Sequence, residues 1–503
     1  MERTPQNRPE NAPENAPGNP LRDALQDERA HPLWSVVEAG LTAGLSFVSA
    51  FAIARIVGPA ELGIGVAAVA VHVLLWVAVN GLFADPLTQS ASTDPREISS
   101  VFWAAAAAGC LAALVQAACG PLLAILLDDA RLVPMCLLLA VPLPLVGAAG
   151  AVQGLLTRAR RYDLLAGRAA VGQGLGTVLG IAAAFAGAGA WALVAQQLAT
   201  SLIGAALLLA RSGWRPVLAW RGEAVRAMLR VGLPITASTF VQIGRYRLFV
   251  LLVGGLVGPA ALGQLHLAFR LVDTVRDLVG TALWRLLLPE LAERQGDLLA
   301  LRAGIHRSLG LYSLVLFPLC GAMLVTLEPM TLWLLGPAWA TSGEAALPLI
   351  GLMAWTFLAF PAGVAVIARG EARMGLITNL ACAGLTLVGA AVAQPETPLQ
   401  AVGIWIGAQV LMLPYIVLRT AKILEQPPLR CYQAGLPALV ASVLAVLVAM
   451  WVPFVLGRPA NPMGLAAERL VVFALAYLPF AVFALRGMSW NRLRTVSAFD
   501  AAD

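Results

Sequence analysis

Residues 57–63 read Val57-Gly58-Pro59-Ala60-Glu61-Leu62-Gly63, and residues 257–263 read Val257-Gly258-Pro259-Ala260-Ala261-Leu262-Gly263. Six of the seven positions agree, at an offset of 200 residues. Each copy ends one long apolar segment and begins another. A heptapeptide that returns at this spacing in so apolar a chain predicts two related membrane halves. An even number of apolar segments separates the copies, so both halves face the same way across the bilayer. That is the parallel-repeat plan, in which two bundles rock around a central site.

The composition agrees with a membrane class. Of 503 residues, 59% are hydrophobic and only 12% charged, and mean hydropathy is +0.79; soluble domains carry about 25% charged residues. The net charge of +6 comes almost entirely from Arg, with Lys422 the only lysine. These cations sit in short connections rather than on one soluble face, which counts against nucleic-acid binding. Residues 1–32 are polar and hold no early apolar core, so they read as a disordered cytoplasmic tail and not a secretory signal. The six cysteines have no metal spacing and read as small buried hydrophobes.

A spanning helix needs about 20 mostly apolar residues. About fourteen segments qualify: 34–57, 63–84, 100–127, 132–156, 164–186, 190–210, 230–257, 262–287, 305–327, 345–368, 374–393, 399–418, 434–456 and 465–486. Segment 262–287 is the least apolar. With the N-terminus inside, alternate connections are Arg-rich, from Arg96 through Arg158, Arg160 and Arg161 to Arg486, Arg492 and Arg494. The opposite connections hold only Arg131 and Arg458, together with acids such as Glu61, Asp128 and Asp129. By the positive-inside rule both termini are expected in the cytoplasm. The expected organisation is an N-terminal lobe over 33–224, a C-terminal lobe over 225–424, two further helices over 425–487, and a cytoplasmic tail over 488–503. This is an all-α integral membrane fold of two parallel six-helix lobes plus two helices.

No H-E-x-x-H, G-x-x-x-x-G-K-[ST] or C-x-x-C occurs, and no outside connection is long enough for a catalytic domain. Metalloprotease, ATPase, thiol-redox and glycosyl-polymerase readings therefore lack support, and neither enzyme activity, metal nor cofactor is expected. Several stretches instead carry a resemblance. They are Phe51-Ala-Ile-Ala-Arg55-Ile-Val-Gly58-Pro59, Gly154-Leu-Leu-Thr-Arg158-Ala-Arg160-Arg161-Tyr162, Gly187-Ala-Gly189-Ala-Trp191, Gly213-Trp214-Arg215-Pro216, Leu335-Gly336-Pro337-Ala-Trp339 and Arg369-Gly370-Glu371-Ala-Arg373. In order and spacing over 33–424 the chain resembles oligosaccharide flippases of the Wzx type. The resemblance implies the multidrug/oligosaccharidyl-lipid/polysaccharide exporter superfamily, with two six-helix lobes around a central cavity and alternating access.

Ionisable groups at mid-bilayer cost at least about 2.5–3.5 kcal/mol each on insertion scales and mark a pathway by default. The second repeat concentrates them. Arg245 and Arg247 lie mid-segment, about 200° apart on a helix, so they cannot face one cavity. His266, Arg270, Asp273 and Asp277 form one polar stripe. Depth counted from the repeat pairs Arg245 with Asp273 and leaves Arg270 as the freer cation. The first repeat is nearly bare, with His72 and Asn80 only. Glu38 reads as an interfacial acid, and Arg55 either snorkels or faces the cavity. Gln153, Gln242 and Gln409 are candidates for a sugar path, since amides both donate and accept. Prolines at 142, 144, 234, 318, 348, 361 and 414 fall inside segments, with Pro234 the best hinge candidate.

The function that follows is a flippase for a polyisoprenyl-pyrophosphate-linked oligosaccharide, moved from the cytoplasmic to the outer face of a bacterial inner membrane. Arg245, Arg270 and Arg55 are the expected head-group cations, because guanidinium forks suit phosphate oxygens. Asp273, His266 and Asp277 are positioning or pairing groups. Membrane lipids and the polysaccharide polymerase and chain-length machinery are expected partners. The alternatives are a peptidoglycan-precursor flippase, an ion-coupled small-molecule exporter of the same superfamily, and a scaffold of envelope assembly.

Overall fold

The structure is a computed structural model and describes residues 33–499 apart from 91, 458 and 460. The expected tail over 1–32, residues 500–503, Arg458 and the Glu38 side chain lie outside the described residues. Among the described residues every regular element is helical. The first lobe contains α1 (Leu33–Val57), α2 (Pro59–Gln89), α3 (Pro95–Leu127), the half-helices α4 (Leu132–Ala140) and α5 (Leu143–Arg158), α6 (Tyr162–Phe185) and α7 (Trp191–Arg211). The second contains α8 (Gly222–Val257), α9 (Pro259–Ala292), α10 (Leu298–Leu335), α11 (Ala340–Ala368), α12 (Ala372–Ala393) and α13 (Pro398–Ile423). α14 (Leu436–Leu456) and α15 (Pro462–Phe499) pack on each other and on α10. The divide expected at 224 falls in the first turn of α8, and α15 continues past 487.

Thirteen described helical segments are long and apolar enough to cross a membrane. The fourteenth expected one, α9, is a 34-residue helix whose charged stripe lowers its apolarity. Its place in the fold matches that of its apolar repeat partner α2. Pro142 and Pro144 split the fourth segment into α4 and α5, because a proline lacks an N–H and clashes with the preceding turn. Pro234 and the prolines at 318, 348, 361 and 414 stay within continuous helices. Large apolar side chains such as Leu111, Ile125, Phe185, Leu411 and Phe483 are exposed on the outside of the bundle, as a lipid-facing surface requires.

The two heptapeptides fold alike. Gly58 has φ 82° and ψ 169°, and Gly258 has φ 110° and ψ 169°. Those positive φ values favour glycine, while the following proline suits a first helical position. Each glycine N–H closes the preceding helix, Gly58 onto Ala54 O at 3.1 Å and Gly258 onto Gly254 O at 2.8 Å. Its carbonyl then accepts from Leu62 or Leu262 to open the next helix, at 3.0 and 3.2 Å.

The copies also meet. A Cβ on Gly63 would overlap the Pro259 carbonyl oxygen, and one on Gly263 would overlap the Pro59 carbonyl oxygen. This reciprocal contact marks a pseudo-two-fold axis between the lobes, and one hydrophobic cluster runs through it, including Leu62, Ile64, Leu262 and Leu265. α2 packs along both α8 and α9, with Gly232 of α8 against the Leu82 carbonyl of α2 further down. The related approach of α9 to α1 is made at few points. The seam between lobes is therefore tight beside α2 and loose beside α1.

The mismatched position of the repeat has its own role. Glu61, which stands opposite Ala261, takes both terminal nitrogens of Arg131 at 2.8 and 3.0 Å and the Ala190 N–H at 2.9 Å. Arg131 also holds Asp129 at 2.8 Å. The Glu61 carboxylate thus ties α2 to the turns that begin α4 and α7. Arg131 holds the Asp129 carboxyl below its ordinary value of 3.8.

Two outcomes follow. Gly63→Ala and Gly263→Ala should each cost about 1–3 kcal/mol of stability by overpacking against backbone that cannot yield. Gly351→Ala, whose Cβ would meet nothing within 4 Å, should leave the thermal midpoint in detergent unchanged, and equal midpoints for all three would contradict the seam. At the rim, a depressed carboxylate stabilises above its unfolded value and loses that contribution as pH falls through the folded one. The stability gap between the native chain and Arg131→Met should therefore be full above about pH 5 and shrink on acidification below 3.8, as read from thermal unfolding over pH.

Candidate substrate site

Each lobe encloses a cavity, and the two differ in chemistry. The second-lobe cavity, about 340 Å³, is walled by α8, α9, α11, α12 and α13. Arg276 Nη1 meets Asp273 Oδ1 at 2.7 Å, and its Nη2 meets Asp277 Oδ1 at 3.0 Å. The Arg245 guanidinium lies over the Trp405 ring, 4.3 Å from its centroid. The expected Arg245–Asp273 pair is thus replaced. Arg276 sits three residues from Asp273 on the same helix face and needs no cross-helix alignment. A cation over an indole face is separately favourable. Trp405 is fixed by Phe249 and Phe269, at centroid distances of 5.3 and 5.0 Å. Gln242, Asn379 and Gln409 supply neutral polar groups to the same wall. A second cavity of about 460 Å³ shares Arg276 and Asp277 and reaches Arg285.

Arg247 points away from this cavity, as its position two residues from Arg245 requires. Its guanidinium lies 5.5 Å from the Tyr246 ring centroid. The Tyr246 hydroxyl bonds His266 Nδ1 at 2.9 Å. Arg247 and Arg270 lie within electrostatic range of each other and of His266. Arg270 is not a free cation: its Nη2 donates to Ser46 Oγ of α1, across the loose side of the seam. Both Arg270 and Ser46 are 11 residues from the repeat-side ends of their helices, roughly 16 Å at 1.5 Å per residue and so near mid-bilayer. Arg55 donates to the Leu334 carbonyl of α10, another bond between lobes at the repeat end. Of the described ion pairs, none gives a carboxylate to Arg55, Arg245, Arg247 or Arg270.

The first-lobe cavity, about 370 Å³, is walled by α1, α2, α5, α6 and α7. Gln153 Oε1 accepts from Arg168 Nη2 at 2.7 Å and from Asn80 Nδ2 at 3.4 Å. His72 is fully buried beside it. Its ring nitrogens contact Leu139 O, at 2.9 Å near the α4–α5 break, and Ser201 Oγ, at 3.1 Å.

The structure therefore groups the sequence-predicted residues differently from the expectation. Arg245, Asp273, Asp277, Gln242 and Gln409 share the second-lobe cavity. Arg270 lies at the seam, His266 bonds Tyr246 within the second lobe, Arg55 lies at the repeat end, and Gln153 faces the first-lobe cavity. Sequence reasoning gave no role to Arg276, Arg247 or Trp405. The i, i+3 spacing of Asp273 and Arg276 was a readable signal for the first. Arg247 carried one in its divergence from Arg245. Trp405 had none, being brought from 160 residues away in the chain. Among the described residues no three His, Cys, Asp or Glu side chains gather to hold a metal.

Two helical lobes with polar interiors, related by a pseudo-two-fold axis and set in an apolar exterior, define a multi-pass helical membrane fold. The chain belongs to the polysaccharide biosynthesis protein family, whose model matches residues 52–344. It is 26% identical over 322 residues to the succinoglycan biosynthesis transport protein ExoT of Rhizobium meliloti strain 1021, spanning 64% of this chain and 64% of that relative's own length. It is 18% identical over 434 residues to the lipopolysaccharide biosynthesis protein WzxC of Escherichia coli strain K12, spanning 85% and 84% of the two chains. The fold is similar to that of the lipid II flippase MurJ in an inward closed conformation, with a TM-score of 0.75 at 10% identity over 91% of this chain and 99% of that one. These findings agree with the Wzx-type resemblance and its superfamily.

The pairing is testable by a double-mutant cycle. Arg276→Ala should destabilise the protein more than Arg276→Ala combined with Asp273→Asn, with a coupling of about 1 kcal/mol. Coupling of that size between Arg245 and Asp273, and none through Arg276, would contradict the geometry.

Proposed function

We propose that this chain is a flippase, not an enzyme. It moves a polyisoprenyl-pyrophosphate-linked oligosaccharide from the cytoplasmic to the outer face of a bacterial cytoplasmic membrane, for O-antigen, capsule or exopolysaccharide assembly. The observation that carries this reading is the set of interior guanidinium groups, Arg245, Arg247 and Arg270, that have no carboxylate among the described ion pairs. Burying them is costly, and an anionic head group offsets that cost through charge-assisted bonds. The Arg-rich connections assign the end away from the repeats to the cytoplasm, with both termini there.

On this reading Arg270, with Arg247 beside it, takes the pyrophosphate at the loose α1–α9 side, where the lipid tail stays in the bilayer. Arg245 meets the head group deeper in the second lobe, and Arg55 stands at the outer rim. Asp273 and Asp277 hold Arg276 in place, and His266 positions Tyr246. Gln242 and Gln409 offer sugar contacts near Arg245. Rocking of the lobes about the glycine contact exposes the site alternately. An anion leaving a negative interior gains about 2.3 kcal/mol per charge per 100 mV. Lipid-linked oligosaccharide and membrane lipids are the partners this requires, with a polymerase and its chain-length machinery receiving the product.

In vesicles reconstituted with the protein, Arg270→Ala should slow flipping of a fluorescent lipid-linked oligosaccharide roughly tenfold, the loss of about 1.4 kcal/mol. Arg270→Lys should recover part of the rate. Unchanged flipping in both Arg270→Ala and Arg245→Ala would refute the cationic site.

A further inference from the structure

The first-lobe cavity is built from different chemistry, and its wall describes a different ligand. Among the described residues no Asp or Glu lines it, and the one cation, Arg168, bonds the Gln153 carbonyl oxygen. What remains is a set of amides and hydroxyls beside an aromatic face: Gln173 from α6, Gln197 and Ser201 from α7, Asn80 from α2, and the indole of Trp76.

The polar groups are oriented by bonds behind them. Gln153 is held through its oxygen by Arg168 and Asn80, which leaves its amide N–H groups for a ligand. Ser201 Oγ accepts from Gln197 Nε2 at 3.2 Å and is backed by His72. Thr42 and Thr200 line the cavity with hydroxyls that have no hydrogen-bond partner. Threonine in a helix exchanges between two χ1 rotamers, so both can serve a ligand.

A drug cation would find no carboxylate among the described lining residues, and a phosphate would find one guanidinium, Arg168, against the several that α8 and α9 supply in the second lobe. Paired donors and acceptors at fixed positions suit hydroxyl groups that both donate and accept, and an indole face suits the apolar face of a sugar ring. We infer that the first-lobe cavity is a binding subsite for the uncharged sugars of the glycan, separate from the cationic pyrophosphate site on α8 and α9. At about 370 Å³ it lies at the small end of ligand pockets, which run about 300–1,000 Å³, so it takes part of a glycan and not a whole repeat unit. A smaller cleft of about 90 Å³, lined by Asp163 and Arg211, shares Arg168 with it and lies toward the Arg-rich end. The inference rests on the flippase reading, with sugars and pyrophosphate held by different lobes.

The test is calorimetric titration of the full-length protein in nanodiscs with two kinds of probe. The first is a panel of short, free malto-, cello- and galacto-oligosaccharides, and the second is sugar-free undecaprenyl pyrophosphate. At least one neutral oligosaccharide should bind. Gln173→Ala and Trp76→Leu should each weaken it about tenfold, a loss of about 1.4 kcal/mol, and Gln173→Asn should restore part. Arg270→Ala should leave sugar binding unchanged. Unchanged undecaprenyl pyrophosphate binding by Gln173→Ala would show that the variant is folded. The subsite is overturned if no neutral oligosaccharide binds the native chain, or if the first-lobe variants bind it as well as the native chain does. If sugar-free lipid still binds in that event, only the subsite falls. If that lipid also fails to bind, the flippase reading falls with it.

Discussion

The reciprocal seating of Gly63 on the Pro259 and Gly263 backbone, and of Gly263 on the Pro59 and Gly63 backbone, is the constraint on which the lobe arrangement depends. Two backbones approach this closely only where both lack a Cβ. The Gly-Pro junction just before each contact ends one helix and starts the next with the same geometry. One short sequence therefore turns the chain and supplies half of a symmetric contact. The contact lies on the axis, with the long packing of α2 on α8 and α9 to one side of it and the sparse approach of α9 to α1 on the other.

Symmetry of the frame does not extend to its lining. Position 61 is Glu in one copy and Ala in the other, and the acid anchors only the first lobe through Arg131. Below that rim, α2 presents a buried His72 held by a carbonyl and a hydroxyl, whereas α9 presents Arg270, Asp273, Arg276 and Asp277. The result is a cavity lined mainly by amides and hydroxyls, with Arg168 its cation among the described residues, in one lobe and a cavity rich in ionised groups in the other. A lipid-linked glycan is itself two-part, an anionic junction and a largely hydroxylated chain, and the two interiors offer one environment for each.

The frame was legible in the sequence because it rests on local facts: apolar runs of spanning length, Gly-Pro punctuation and a repeat. Even α9, the doubtful segment, was recognisable from its partner α2. The depth of Arg245 and Asp273 was legible too, since rise per residue is fixed. Their partners were not. Arg276 wins Asp273 by lying on the same helical face, and Arg245 is claimed by Trp405 from α13, a neighbour set only by packing. The three glutamines assigned to one sugar path divide between lobes for the same reason. Spacing along one helix predicts a face, but which face meets which is decided by the whole bundle.

We propose that the interior arginines with no carboxylate among the described ion pairs receive an anionic lipid head group. The most direct measurement is an electron cryo-microscopy map of the protein in nanodiscs with undecaprenyl pyrophosphate. The account predicts diphosphate density within hydrogen-bonding distance of Arg270 and Arg247, with the lipid tail leaving between α1 and α9. Diphosphate density at Arg168 in the first-lobe cavity, or none in the interior with the lipid bound elsewhere, would contradict it.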